Sequence, residues 1–170
     1  MLRKLIPDCY VKTVTYYSAD FFRSRGIRGV LFDIDNTLEP YANPTPSEKT
    51  RQYLQSLTDA GIQYGFVSNN QQKRVELFNE QLTAFACWKS GKPSGKALEK
   101  ARIHFGLPKK NMALIGDQLL TDVWAAKRYG ILALLVVPCC KKEAFYIKLK
   151  RIIEKPILLY YKVKYGGIAE

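Results

Sequence analysis

Two aspartates and a threonine follow an apolar run early in the chain. Asp33, Asp35 and Thr37 come directly after residues 29–32, which are glycine, valine, leucine and phenylalanine. The run predicts a buried β-strand, and alternate side chains of an extended segment point to the same side. Neighbouring carboxylates raise each other's cost of ionisation, so stability alone does not explain the pair. A divalent cation, or a division into a nucleophile and an acid, would explain it.

A second pair of acids, Asp117 and Asp122, follows the apolar run 112–115. Asp117 falls at the tip of the predicted strand. Asp122 falls about one helical turn later, where it can face the same point. Thr121 or Asp117 could instead cap the helix predicted next, because short polar side chains bind the free N–H groups there. Capping accounts for one acid, but not for two acids together with the earlier pair.

A serine lies between the acid pairs, again after an apolar run. Ser68 and Asn69 follow residues 63–67. A hydroxyl and backbone N–H groups at a strand-to-helix junction suit a phosphoryl oxygen. An ordinary helix N-cap explains Ser68 in isolation equally well.

A lysine in a loop with glycine and proline completes the set. Lys92 lies within residues 89–94, and Lys89 and Lys96 are nearby alternatives. A lysine in such a loop is usually only solvated. It matters here because a site with several carboxylates needs a fixed cation.

The order of these groups is an acid pair, a serine, a lysine and a second acid pair, each after a predicted strand. This order resembles the haloacid dehalogenase-like (HAD) phosphohydrolase superfamily over residues 29 to about 137. Four segments are more narrowly similar to the bacterial YqeG family, a IIIA-type branch that is similar to the mitochondrial phosphatidylglycerophosphate phosphatases. These segments are residues 5–11, 29–38, 92–93 and 116–122.

The resemblance implies a Mg²⁺-dependent phosphomonoesterase with an aspartyl-phosphate intermediate. Asp33 would be the nucleophile, and Asp35 would protonate the leaving oxygen and then activate water. Asp33, Asp117 and the main-chain carbonyl of Asp35 would bind Mg²⁺. Asp122 would hold a metal-bound water or Lys92, and Lys92 is preferred to its neighbours because Lys-Pro is the family pattern. The residues implied to contact the phosphoryl group are Ser68, Asn69, Lys92 and Thr37, and Thr37 would also position Asp35.

The apolar runs alternate with helical patterns along the chain. The predicted strands are residues 29–34, 63–67, 83–88, 111–115 and 131–137, and the predicted helices are residues 47–60, 70–81, 94–105, 119–129 and 141–154, with Pro156 ending the last. Such alternation predicts an α/β fold, a Rossmann-like HAD core with a parallel sheet of about five strands and helices on both faces. With 170 residues and 47% apolar content, the chain 1–170 is expected to form one domain.

The spacing of the motifs predicts no large cap domain. The stretches from Asp35 to Ser68 and from Ser68 to Lys92 are too short for such an insertion. By analogy with capped HAD enzymes, the site is expected to stay open. An open site suits a phosphate presented by something large, such as a lipid headgroup, a protein or a nucleic-acid end.

The charge of the chain is uneven. The net charge is +12; residues 1–28 carry six basic and two acidic residues, and residues 141–170 carry eight and three. The C-terminal segment is also amphipathic, with apolar positions 145, 149, 152 and 153 on one helical face. Three interpretations stay open: a helix that packs on the sheet with a solvated basic face, a segment attracted to an anionic membrane surface, or a nucleic-acid or ribosomal contact.

The sequence constrains the cellular location and the substrate less than it constrains the fold. The longest near-apolar run, residues 131–140, is too short to span a bilayer, and the N-terminus lacks the apolar core of a signal peptide. Four cysteines without CxxC spacing indicate reduced thiols and a cytoplasmic protein, which could sit peripherally at the inner face of the membrane. Phosphatidylglycerophosphate is the favoured substrate. The alternatives are a soluble nucleotide, a sugar phosphate, a phosphoprotein, or a non-catalytic role on ribosomes or membranes, and the sequence gives no oligomeric state.

Overall fold

The computed structural model describes residues 2–140 and 145–168. Its centre is a six-stranded parallel sheet with the strand order β1-β6-β5-β2-β3-β4. The strands are β1 (Cys9–Val11), β2 (Gly29–Phe32), β3 (Gln63–Val67), β4 (Phe85–Cys87), β5 (Met112–Gly116) and β6 (Leu132–Val136). The sheet thus has one strand more than predicted. Strand β1 was missed because three residues are too few to show a periodic pattern.

Six α-helices surround the sheet. They are α1 (Ala19–Arg23), α2 (Glu48–Asp59), α3 (Gln72–Asn79), α4 (Lys96–Phe105), α5 (Trp124–Tyr129) and α6 (Phe145–Tyr165). Short 3₁₀ turns cover Leu2–Leu5, Val14–Tyr16 and Lys109–Asn111, and a π-helical turn, Leu119–Val123, leads into α5. The helix predicted over 119–129 is therefore two different helical pieces.

The central strands β2 and β5 are buried along their whole length. Their side chains alternate between two hydrophobic clusters, one on each face of the sheet. Helices α1, α2 and α3 contribute to one cluster, and α4, α5 and α6 contribute to the other. The predicted three-layer α/β architecture, with helices on both faces, is confirmed.

Helix α6 continues through Pro156, so the predicted end of this helix was wrong. A proline normally disrupts a helix because it lacks an N–H and crowds the preceding turn. Here Ile157, the next residue, and Tyr161, just over one turn further on, are buried against the sheet. The ring of Tyr161 packs edge-on against Tyr10 with the centroids 6.0 Å apart. This packing outweighs the local cost of the proline. Residues 141–144, the start of the predicted helix, lie outside the described residues.

The strand register brings the carboxyl ends of β2, β3 and β5 to one edge of the sheet. Phe32, the last residue of β2, pairs with Phe66 of β3 and with Ile115 of β5. In the described part of the chain, only residues 33–47 separate β2 from α2 and only residues 68–71 separate β3 from α3, so no large cap domain is inserted there. Among the same residues, none of the helices combines the length and the apolar character needed to cross a bilayer.

Candidate active site

A cavity of about 520 Å³ lies at the carboxyl edge of the sheet. Ligand sites of open α/β sheets lie at this edge. Asp33 after β2 and Ser68 after β3 line the cavity, and Asp117 after β5 is buried behind it, with a carboxylate oxygen within 4.8 Å of one of Asp33. The loop after β4 adds Lys92, and α6 adds Ile147 and Lys150 to the cavity wall.

Lys92 is the cation at the centre of the site. Its Nζ donates to Asp33 Oδ1 at 2.7 Å and to the carbonyl of Val67 at 2.7 Å, and it lies 2.6 Å from Asp122 Oδ1. Burial would lower the pKa of the Lys92 ammonium, but Asp122 and Asp33 raise it overall, so the lysine stays charged. The two neighbouring candidates, Lys89 and Lys96, are exposed. Of the three lysines, Lys92 is the one that lies beside the buried acids.

The site carries more negative than positive charge around Asp33. Burial raises the pKa of Asp33 to about 8, Lys92 acts against this rise, and the charges of Asp122 and Asp117 add to it. One carboxylate oxygen from each of Asp33, Asp117 and Asp122 lies within 4.8 Å of the others. A hard divalent cation prefers such oxygen ligands and would relieve the repulsion. The buried acids therefore fit a metal ion.

Asp122 depends on a glycine in the preceding strand. A Cβ atom on Gly116 would lie 2.2 Å from Asp122 Cγ, closer than the atoms can approach. The Asp122 carboxylate also accepts a hydrogen bond from the backbone N–H of Gln118 at 3.1 Å. The glycine thus makes the space in which Asp122 meets Lys92.

Asp117 is bound by a residue that the sequence did not single out. Arg151 of α6 donates to the Asp117 carbonyl at 2.5 Å and forms an ion pair with its carboxylate. The Thr37 hydroxyl donates to Asp117 Oδ1 at 3.4 Å, after the neighbouring strand β5. The family resemblance had implied a hydrogen bond of Thr37 near Asp35. Arg151 also pairs with the buried Glu154 of the same helix at 3.1 Å, and its contact with Asp117 ties α6 to the site.

Asp35 lies in the cavity wall and is held by a second arginine. Arg74 of α3 donates to Asp35 Oδ1 from Nη2 at 2.9 Å and from Nε at 3.2 Å. The amide of Asn70 donates to Asp35 Oδ2 at 2.9 Å. Sequence reasoning missed Arg74 because a lone arginine within a predicted helix gives no sign of its distant partner.

Ser68 and Asn69 organise the turn that follows β3. Ser68 is buried and accepts a hydrogen bond from the Asn70 N–H at 3.1 Å, but the N-cap of α3 is Gln71. The Asn69 side chain accepts from the Lys92 N–H at 2.9 Å and donates to the Lys92 carbonyl at 3.1 Å. Asn69 therefore holds the backbone of the loop that carries Lys92.

Asn36 directly follows Asp35 in the chain. Its backbone has φ of 64°, a left-handed conformation that asparagine tolerates better than most residues. Its side chain is buried in the cavity wall, and its Oδ1 has no hydrogen-bond partner among the described residues. An unpaired buried acceptor at this place is consistent with a donor or cation that completes the site.

Comparisons with known proteins extend this picture. A family model described as HAD-hydrolase-like matches residues 89–137. The chain is 35% identical over 165 residues to a Bacillus subtilis protein named "Probable phosphatase YqeG", with 96% of each chain covered. It is 26% identical over 168 residues to "Phosphatidylglycerophosphate phosphatase 1, chloroplastic/mitochondrial" of Arabidopsis thaliana, and the match spans 91% of this chain but only 47% of the plant protein.

A solved structure shares the fold. It is the cobalt-bound form of the deoxy-D-mannose-octulosonate 8-phosphate phosphatase of Haemophilus influenzae, with a TM-score of 0.55, 16% identity, and coverage of 81% of this chain and 90% of that chain. At that identity the likeness concerns the fold alone. The likeness to the Bacillus protein extends over nearly the full length of both sequences and includes the motifs that build the cavity. The chain therefore belongs to the YqeG family of HAD-type phosphatases, which are hydrolases.

Proposed function

We propose that the protein is a Mg²⁺-dependent phosphomonoesterase that carries the phosphoryl group on Asp33. One observation carries the proposal: a buried lysine ammonium lies 2.7 Å from Asp33 Oδ1, within a cavity that also presents Asp35 and Ser68. A nucleophile, a proton donor and a fixed cation are the groups that phosphoryl transfer through an aspartate requires.

In the first step, a carboxylate oxygen of Asp33 bonds to phosphorus while the bond from phosphorus to the leaving oxygen breaks. Asp35 enters this step protonated, with a proton taken from solvent when it leaves Arg74 and Asn70, and gives that proton to the leaving oxygen. Because Asp35 is bound by Arg74 and Asn70, it has to exchange these partners for the leaving oxygen. Arg74 therefore sets the position from which Asp35 starts.

In the second step, a water oxygen attacks phosphorus and gives a proton to Asp35, which is now unprotonated. The bond from phosphorus to Asp33 breaks, inorganic phosphate leaves and both aspartates return to their starting forms. Lys92 balances the charge of the phosphoryl oxygens throughout. We propose that three further residues contact the phosphoryl oxygens beside Lys92: Ser68, Asn69 and Thr37.

We propose that Asp33, Asp117 and the main-chain carbonyl of Asp35 hold Mg²⁺, with Asp122 beside them. When bound, Mg²⁺ neutralises the charge that gathers on the aspartates and on the phosphoryl oxygens. The spacing of the three carboxylates, within 4.8 Å of one another, supports this assignment. An ion of this kind prefers oxygen ligands and keeps several waters.

The proposed substrate is phosphatidylglycerophosphate, or another phosphate presented by a large molecule. The name of the Arabidopsis relative supports the lipid. The lack of an inserted cap among the described residues supports a large substrate, because the cavity is not closed over by a second domain. We further propose a cytoplasmic protein that binds peripherally to the inner face of the membrane.

The test measures phosphate release by the wild type and by Asp33→Asn, in Mg²⁺ and in EDTA. The panel contains an aryl phosphate, nucleotides, sugar phosphates, a phosphopeptide and phosphatidylglycerophosphate in mixed micelles. We expect turnover that requires both Mg²⁺ and Asp33, and a preference for the lipid. Asp59→Asn, an exposed aspartate on α2, is the matched control and should retain full activity.

Four results would change the proposal. Preference for a soluble phosphate would assign the enzyme to small metabolites, and preference for the phosphopeptide would assign it to proteins. Turnover that survives Asp33→Asn would remove the aspartyl-phosphate. A folded wild type that binds Mg²⁺ and releases no phosphate from any compound would favour a non-catalytic role on ribosomes or membranes.

A further inference from the structure

The outward side of α6 is apolar. Six large side chains, in two groups whose members are one, three or four residues apart, are between 50% and 80% exposed. They form what we call the outer face: Leu149, Ile152, Ile153, Leu159, Tyr160 and Val163. This spacing places them on about 120° of the helix circumference. The outward side of a helix on a water-soluble protein is normally polar, so this face differs from that pattern.

The opposite side of α6 fixes the orientation of the helix. Glu154 is fully buried and accepts a hydrogen bond from the Leu120 N–H at 3.0 Å. Ile157 and Tyr161 are buried in the hydrophobic cluster that also contains residues of β2, β5 and β6. Rotating the helix to hide the outer face would break these contacts. The exposure of the outer face is therefore a consequence of how α6 packs.

The exposed charges along α6 are all positive in the described part of the helix. Lys155, Lys162 and Lys164 are exposed and border the outer face, whereas Glu154 is buried. The Lys164 ammonium lies 5.5 Å from the ring centroid of Tyr160. An apolar stripe bordered by lysines, with a tyrosine among them, matches the surface of an anionic bilayer, where lysines meet lipid phosphates and aromatic rings lie at the headgroup level.

The same helix forms part of the catalytic cavity. Ile147 and Lys150 line the cavity, and Arg151 binds Asp117. Anything that binds the outer face of α6 therefore binds the same helix that forms part of the active-site wall.

We infer that the outer face of α6 docks on an anionic lipid bilayer, with the helix lying in the plane of the interface. The consequence for catalysis rests on the proposed function: docking holds the protein, and with it the cavity that α6 helps to line, at the surface of a bilayer that carries phosphate esters. Charge decides between this occupant and the alternatives. A second copy of the chain would bring two lysine-bordered faces together, and a nucleic acid would leave the apolar stripe without a partner.

The test is flotation of the full chain with vesicles of phosphatidylcholine alone and of phosphatidylcholine with phosphatidylglycerol. We expect binding only to the anionic vesicles and weaker binding at high salt. Ile152→Ser/Ile153→Ser should lower the partition coefficient by about tenfold or more, because two apolar side chains no longer enter the interface. Its matched control is Ile103→Ser/Leu77→Ser, two exposed apolar residues on α4 and α3, which should bind as the wild type does.

A second pair of variants separates charge from apolar contact. Lys155→Gln/Lys162→Gln should lower binding to the anionic vesicles by about thirtyfold, since each lysine near such a surface contributes on the order of 1 kcal/mol. Lys49→Gln/Lys100→Gln removes two exposed lysines elsewhere and should have little effect. An equal loss in both pairs would show attraction through net charge alone and would overturn docking through α6.

The outcomes separate the docking surface from the proposed chemistry. Hydrolysis of a soluble aryl phosphate is measured on the same samples, and the serine variants should retain it. Aryl phosphate turnover without vesicle binding would overturn the docking surface and leave the phosphatase intact. Vesicle binding through the outer face without turnover of any phosphate would support the docking surface and overturn the phosphatase. A dimer in light scattering that Ile152→Ser/Ile153→Ser dissociates would assign the outer face to a second copy and overturn lipid docking.

Discussion

The interior and the rim of the cavity hold their carboxylates in two different ways. In the interior, Lys92 bridges Asp33 and Asp122, and its side chain is 1% exposed. At the rim, Arg74 binds Asp35, and their side chains are 12% and 18% exposed. A buried charge without its partner is costly, whereas a partly solvated pair contributes little to stability. Under the proposed mechanism, the interior pair thus serves both the fold and the chemistry, and the rim pair mainly positions one carboxylate.

Lys92→Met tests the interior side of this comparison and should have the largest effect. Activity is expected to fall by about a thousandfold or more, because the cation that faces the phosphoryl oxygens is gone. The free energy of unfolding should fall by about 3–5 kcal/mol, since two buried carboxylates lose their partner. Phosphate release and urea unfolding measure the two effects.

Lys96→Met, an exposed lysine nearby on α4, is the control for Lys92→Met and should leave both quantities near the wild type. A Lys92→Met protein that is folded and as active as the wild type would show that another cation serves the phosphoryl group. Excess Mg²⁺ should restore part of the stability but not the activity, because only the charge balance of the acids is repaired.

Gly116→Ala tests the interior without touching a charged residue. The new methyl group would occupy the position of the Asp122 carboxylate, so Asp122 must move away from Lys92. Activity should fall by about a hundredfold, as expected when a catalytic group is displaced by roughly 1 Å. The Gly116→Ala/Asp122→Asn double variant checks the route: if the effect passes through Asp122, the double variant should be no worse than Asp122→Asn. Additive losses would show that the methyl group disturbs something else.

Arg74→Gln tests the rim. We expect kcat on an aryl phosphate to fall by roughly tenfold to a hundredfold, because Asp35 loses the partner that fixes its starting position. KM and thermal stability should change little, since the pair is partly solvated. Lys73→Gln, the exposed neighbour on α3, should behave as the wild type. A rise in KM at constant kcat would instead place Arg74 in contact with the substrate.

The sequence predicted the positions of the carboxylates better than the arginines that bind them, for a physical reason. Asp33, Ser68 and Asp117 each follow an apolar run, and parallel strands bring such positions to one edge whatever the rest of the chain does. Arg74 and Arg151 lie 39 and 34 residues from the carboxylates that they bind, and only the packing of α3 and α6 decides those contacts. The missed strand β1 and the continuation of α6 past Pro156 have the same origin, since tertiary contacts outweigh weak local signals there.

The buried acids of the interior lead to a smaller expected effect, which concerns how folding stability depends on pH and on Mg²⁺. Burial raises the pKa of Asp33 to about 8, above its usual value of 3.8. Between these values the metal-free folded protein binds more protons than the unfolded chain, so its stability should decrease as the pH rises towards 8. Mg²⁺ binds the ionised carboxylates, so its stabilising effect should increase over the same range.

Thermal unfolding in EDTA and in excess Mg²⁺, recorded across that pH range, measures both trends. The gain in Tm on adding Mg²⁺ should be a few degrees larger near the upper end of the range. Asp33→Asn cannot ionise at this position, so both the loss of metal-free stability with pH and the growth of the Mg²⁺ effect should be reduced, while Asp59→Asn should follow the wild type. Equal curves for the wild type and Asp33→Asn would show that Asp33 is ionised in the metal-free protein, because Lys92 alone then offsets its burial. In that case neither the interior pair nor the rim pair would need a metal ion to offset the charge of its carboxylate, and the two pairs would differ only in exposure.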